Sequence, residues 1–133
     1  MSQENVEIVR RAFAAYNRAD TALFLELLDP DVEWIPLMAS LEGRVYRGLD
    51  GIRQWLEEGL LTDWESFETY PEDFRDLGDR VIVFGHWRAR GRASGVELER
   101  AATWLFDVKG GKIARLQTYS DRAEALEAAG LSE

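Results

Sequence analysis

The chain has no cysteine and one histidine, His86. The first absence excludes disulfides and thiol catalysis. Together they exclude a cysteine or multi-histidine metal centre, and no carboxylate grouping points to a metal of its own. Cations are also scarce: 16 Lys and Arg stand against 25 Asp and Glu, a net charge of −9. Nucleic acids and anionic membranes recruit proteins through a basic face that displaces counterions, so neither is an expected partner. Long hydrophobic runs are missing too. No stretch approaches the roughly 20 apolar residues of a membrane span, and the start MSQENVEIVRR lacks the apolar centre of a signal peptide. The expectation is a cytoplasmic protein with no cofactor and no metal.

What is present suffices for one domain over residues 1–133, a length that buries about two thirds of the unfolded chain's surface. Val6, Val9, Ala12, Phe13 and Tyr16 recur at helical spacing and predict a helix over residues 2–18, with Ser2 as its cap. A second helix starts at Asp20, carries Leu23, Phe24, Leu27 and Leu28, and stops at Asp29-Pro30 because a proline disfavours helix in the residue before it. DVEWIPL reads as a short strand that Pro36 confines to an edge or an end, and residues 38–48 read as loop. Ile52, Trp55, Leu56 and Leu60 predict a third helix over residues 50–60. From there everything is extended until a short closing helix, DRAEALEAAG. Helices followed by an antiparallel meander make the α+β class.

Two hairpins organise the meander. Pairing RVIVFGHWRARGR with the next strand around Ala93-Ser94-Gly95-Val96 sets Arg92 opposite Glu97 and Arg90 opposite Glu99. One face then carries Ile82, Phe84, His86 and Arg88. The other carries Val81, Val83, Gly85 and Trp87 with Arg100, Ala102, Trp104 and Phe106, and is the better core. The first face, apolar at one end and charged at the other, suits self-association. Lys109-Gly110-Gly111 turns the chain into the last strand. A three-residue turn there aims Leu116 and Thr118 inward, a two-residue turn inverts that set, and the sequence does not choose.

The strand VEWIPL, the helix entry RVYRGLDGIRQWL, the segment LGDRVIVFGHWRARGRASGVELE and the ending ATWLFDVKGGKIARLQTYSDRAEALEAAGL resemble a SnoaL-like member of the nuclear transport factor 2-like superfamily. That resemblance covers nearly the whole chain. It implies a cone-shaped α+β fold, with three N-terminal helices packed on a curved, mostly antiparallel sheet and a short C-terminal helix. The superfamily includes ketosteroid isomerases, polyketide cyclases, epoxide hydrolases and transport factors. Against the ketosteroid isomerase pattern, Trp34 stands where the proton-abstracting carboxylate belongs and Trp104 where the second acid belongs. Tyr16 matches the phenol donor. The inward acids that cyclases and epoxide hydrolases place on late strands have no counterpart.

Candidate residues follow. Arg100 on an inward face must be paired near the sheet's end or meet a ligand carboxylate, enolate or phenolate. Asp121 is either its partner or general base, or the N-cap of the closing helix. With Tyr16 these two are the catalytic candidates. His86 points outward. Small Gly85, Ala102, Thr118 and Ser120 near Trp104 leave room for an aromatic-walled cavity, with Tyr16, Trp34, Trp55, Trp87, Arg100, Trp104, Leu116 and Thr118 as ligand contacts. The expected function is binding of a small apolar cyclic or ketone-like metabolite by a homodimer that associates through the outer sheet face. Its activity would be cofactor-independent isomerisation, cyclisation or hydrolysis; the alternative is a binding or dimerisation module without the family's acids.

Overall fold

The computed structural model describes residues 2–58 and 64–131; the Leu60 end of the third predicted helix lies outside them. α1 (Ser2–Asn17) buries Val9, Ala12 and Phe13 and leaves Glu7 and Arg11 in water, as its apolar stripe requires. Ser2 is its first helical residue and not its cap. Asp20 caps α2 (Thr21–Glu26), accepting from the Leu23 amide at 3.2 Å. α2 ends before Asp29-Pro30, because Leu28 already opens β1 (Leu28–Ile35). Pro30 is tolerated inside β1 since the pairing of that strand jumps from Leu28 to Glu33 and asks no ladder hydrogen bond of residue 30.

Nor is β1 an edge. It lies between β2 (Tyr46–Arg47), antiparallel to it, and β6 (Lys112–Tyr119), parallel to it. The predicted loop over 38–48 therefore contains structure: β2, and before it α3 (Leu37–Glu42), which Pro36 opens and Gly43, at φ 70°, closes. Six residues are too few to show a helical stripe, which is why the pattern is invisible in the sequence. α4 (Gly48–Glu58) buries Ile52 completely and half-buries Trp55 and Leu56.

β3 (Trp64–Asp76), β4 (Arg80–Gly91), β5 (Glu97–Lys109) and β6 form the expected meander, in a six-stranded sheet of order β2-β1-β6-β5-β4-β3. β3 is an edge strand with a register shift between Pro71 and Asp73, which accommodates the proline. The β4–β5 pairing differs from expectation by two residues: Arg90 faces Glu97 and Arg88 faces Glu99. A two-residue slip keeps every side chain on its face, so the inward set is unchanged. At the last hairpin the turn is the two-residue Gly110-Gly111, with φ of 55° and 78°. A bulge between Asp107 and Val108 restores the parity this turn would have inverted, so Leu116 and Thr118 still face inward, opposite Phe106 and Trp104.

Val81, Val83, Ala102, Trp104 and Phe106 pack against α1 and α2 in the main core. The apolar end of the other face is not free for a second copy. α5 (Arg122–Ala128) covers it, seating Ala125 and Leu126 on Ile82, Phe84 and Leu105, and the Arg80 guanidinium donates to the carbonyls of Ala128 and Ala129. Among the described residues no helix is long and apolar enough to cross a membrane.

Candidate functional site

Between the helices and the inward sheet face lies a cavity of about 380 Å³. Its walls come from separate elements. α1 and α2 supply Phe13, Tyr16 and Phe24, α4 supplies Trp55 and Leu56, and the sheet supplies Trp34, Trp87, Trp104, Phe106, Leu116 and Thr118. The rings hold one another edge to face: Phe13 meets Trp104 at 5.0 Å and 75°, and Phe24 meets Trp34 at 5.5 Å and 86°. Tyr16 instead lies flat on Trp55, at 5.5 Å and 17°. A smaller-walled recess on the outside shares Tyr16, Phe24 and Leu56 with the cavity and opens toward Asp20, Arg53 and Glu57, so these three side chains form a partition.

Tyr16 is a polar group of the inner wall, with Thr69 and Thr118. Its hydroxyl makes no hydrogen bond among the described residues, and burial pushes its pKa far above the ordinary value near 10, so it stays a neutral donor. Thr69 also lines the cavity but is engaged. Asn17, the last residue of α1, accepts from the Thr69 amide at 3.0 Å and hydroxyl at 2.9 Å and donates to its carbonyl at 2.8 Å, which fastens α1 to β3. Trp34, 4% exposed, keeps an indole N–H without an acceptor among the described residues, a cost of about 1–3 kcal/mol that its ring contacts offset.

The charged groups sit at one mouth. Glu42, Arg44 and Glu58 line the cavity and are solvent-exposed, with Tyr46 beneath them. Arg44 Nη2 meets Glu42 Oε1 at 2.7 Å while its guanidinium carbon lies 5.3 Å from the Tyr46 ring centre. Tyr46 Oη donates to Glu58 Oε2 at 3.0 Å and Gln54 Nε2 donates to Glu58 Oε1 at 2.9 Å. Those two bonds, Gln54's first, hold the Glu58 carboxyl below its usual range; burial and then the Glu58 bond push the Tyr46 hydroxyl up. Glu42, Arg44 and Tyr46 did not stand out in the sequence because α3 and β2 read as loop, and Glu58 read as part of the wet face of its helix.

Of the expected contacts, the structure brings Tyr16, Trp34, Trp55, Trp87, Trp104, Leu116 and Thr118 to this one cavity. Arg100 is the exception. It is exposed at the open end of β5, donates to the carbonyl of its neighbour Glu99 at 2.9 Å, and does not line the cavity. The parity argument placed it on the correct face, but the helices do not reach that far along the strand. Asp121 is the N-cap of α5, accepting from the Ala123 amide at 2.8 Å, and is likewise outside the cavity. His86 lies on the other face, 3.1 Å from Glu72 and stacked on Tyr70 at 4.8 Å. Gly85 pairs with Ala102, not Trp104, and leaves no space. A Cβ there would stand 2.2 Å from the Tyr70 carbonyl oxygen, so the glycine admits the bulged edge strand. No group of acidic and histidine side chains among the described residues could hold a metal ion.

Comparison with known proteins settles what this architecture is. The SnoaL-like domain family matches residues 9–116. The chain belongs to the SnoaL-like family. Uncharacterised proteins of Mycobacterium bovis and Mycobacterium tuberculosis are 32% identical to this SnoaL-like protein over 122 residues, covering 90% of the chain and 91% of each relative. Among solved structures, a nuclear transport factor 2-like protein of Burkholderia pseudomallei shares the fold at a TM-score of 0.79 and 23% identity, covering 93% of this chain and 95% of that one. Another from Burkholderia xenovorans has a TM-score of 0.74 and 28% identity, with 97% of each chain covered. A proposed polyketide cyclase of Sinorhizobium meliloti has a TM-score of 0.67 and 26% identity over 85% of this chain and 94% of that one.

Proposed function

We propose that this SnoaL-like protein binds a small, largely apolar ring compound in the aromatic cavity, with Tyr16 donating a hydrogen bond to a ketone-type oxygen. The observation that carries this reading is an aromatic wall holding one neutral phenol donor that no group among the described residues engages. Such a donor is worth most where water is scarce, and it recovers its lost hydrogen bond only when an acceptor enters. Chemistry, on this reading, is cofactor-independent isomerisation, cyclisation or hydrolysis, in which Tyr16 polarises the carbonyl. The proposed polyketide cyclase among the structural neighbours is in keeping with it.

A specific feature favours a second reading, binding without catalysis. By the sequence resemblance Trp34 and Trp104 stand where the ketosteroid isomerases have their acids, and the carboxylates lining the cavity among the described residues, Glu42 and Glu58, lie at its mouth. One experiment separates the two. Tryptophan fluorescence titration with 1-indanone measures binding, and proton NMR in deuterated water measures exchange of its α-hydrogens. Saturable binding that Tyr16→Phe weakens about fivefold, the worth of one neutral hydrogen bond of about 1 kcal/mol, supports the site. Protein-accelerated exchange that the variant abolishes supports catalysis; exchange at the solvent rate leaves a binding protein.

The homodimer is also part of the proposal. The central outer face, beyond α5, carries both signs of charge and stacked rings: His86 on Tyr70, the Arg88 guanidinium 5.5 Å from the same ring, and Glu99 bonded to Arg88. A face with both signs is complementary to itself across a two-fold axis.

A further inference from the structure

The sheet wall of the cavity holds a polar group that the ketone contact leaves unused. Thr118 faces inward on β6, one inward position beyond Leu116, and its pairing sets it opposite Trp104 of β5. On the other side of β6 the pairing with β1 ends at Ile35 and Gln117, and the chain continues into Pro36, which also lines the cavity. The surroundings are apolar. Thr118 is 5% exposed, and its hydroxyl makes no hydrogen bond among the described residues. Unlike the indole nitrogen of Trp34, that hydroxyl is not sealed in the packing, so it opens on the cavity. Valine has the same shape and would line the wall without a polar cost. A wholly apolar ligand strips the hydroxyl of hydration and leaves it unpaired, whereas a ligand with an oxygen at that point engages it.

Tyr16 reaches the same space from the helix side, among Trp55, Phe24 and Phe67. The ring that α1 sets against Trp104 is Phe13, about one turn before Tyr16. The two hydroxyls therefore stand on different walls, one on α1 and one on β6. We propose that Thr118 is a second polar contact and that the ligand is a hydroxylated ring ketone, its ketone oxygen on Tyr16 and its hydroxyl on Thr118. This rests on the cavity being the ligand site and narrows the ligand class. A threonine hydroxyl both donates and accepts, and so does the hydroxyl that it meets. Selectivity follows, because a ketone lacking the second oxygen leaves Thr118 unpaired in the complex.

Titration calorimetry with 1-indanone and its 4-, 5- and 6-hydroxy derivatives tests the pairing. At least one hydroxy compound is expected to bind about tenfold more tightly than the parent ketone. Thr118→Val keeps the shape of the wall and should bring that ratio toward one. Thr103→Val removes a hydroxyl that is equally buried but lies on the outer face, beside Phe84, and should leave the ratio unchanged. Without ligand, the thermal midpoint of Thr118→Val should equal or exceed that of the wild type; a lower midpoint would mean that the protein itself engages the hydroxyl, and overturns the proposal. So does a panel in which no hydroxy compound binds more tightly than 1-indanone, or a ratio that Thr118→Val does not move, and either result leaves the cavity reading standing. Binding of none of the four compounds overturns both.

Discussion

Tyr16 concentrates the tension in this molecule, a polar group placed where its neighbours are Trp55, Phe24 and Phe67. Desolvation penalises the phenolate, so the folded-state pKa lies above the unfolded value near 10. Below about pH 10 both states hold the proton and stability is unaffected. Above it the unfolded chain loses the proton while the folded chain keeps it, so stability falls as pH rises, by up to about 1.4 kcal/mol per pH unit. Urea unfolding between pH 9 and 11 should show this decline, and Tyr16→Phe should lessen it. The part contributed by Tyr46 and Tyr119, whose values are also raised by burial, remains. Equal slopes for the two proteins would mean that Tyr16 is hydrated in the folded state. Tyr16 and the tryptophans were legible in the sequence because large aromatics at inward positions have few places to go. Arg100 was misread for an equally physical reason: strand alternation reports which face a residue occupies and nothing of how far the covering helices extend along it. The mouth residues Glu42, Arg44 and Tyr46 were missed because their arrangement depends on α3 and β2, which are too short to leave a periodic pattern, and Glu58 because its helix face meets them only in the fold.

At the scale of elements, the hairpins show how little of register is written locally. The β4–β5 charge pairs are real but formed by Arg88 and Arg90 in place of Arg90 and Arg92, since the connection spans residues 92–96 and Gly95, at φ 70°, shapes its end. In the β5–β6 hairpin a glycine pair selects a two-residue turn and a bulge at Asp107–Val108 compensates, a combination that no count of turn residues anticipates. Face assignment survived both because each shift was even. The β3–β4 edge gives the sharpest prediction at this scale. Gly85→Ala would set a Cβ against the backbone oxygen of Tyr70, which cannot rotate away. Destabilisation of about 1–3 kcal/mol by urea unfolding is expected, with faster amide exchange concentrated in β3. A change under about 0.5 kcal/mol would show that the edge strand yields freely.

For the whole molecule, the overall class was readable because helices and strands segregate along the chain. The parallel insertion of β1 beside β6 was not, since a six-stranded order with a crossover depends on contacts between distant segments. That insertion brings Trp34 into the same wall as Trp104 and so closes the cavity. On the proposed assembly, a second copy would dock on the outer face of β3, β4 and β5 beyond α5. Sedimentation equilibrium at micromolar concentration should give twice the 15.2 kDa chain mass, and Arg88→Glu, which sets like charge beside Glu99, should give the monomer. A wild-type monomer would contradict the assembly while leaving the cavity untouched. The central claim is that the aromatic cavity is where a ring compound binds, and crystals grown with 5-bromo-1-indanone test it most directly. The account predicts a bromine anomalous peak between Trp34, Trp55 and Trp104, with the ketone oxygen within hydrogen-bonding distance of Tyr16 Oη; an empty cavity at saturating ligand, or a peak only on the outer sheet face, would contradict it.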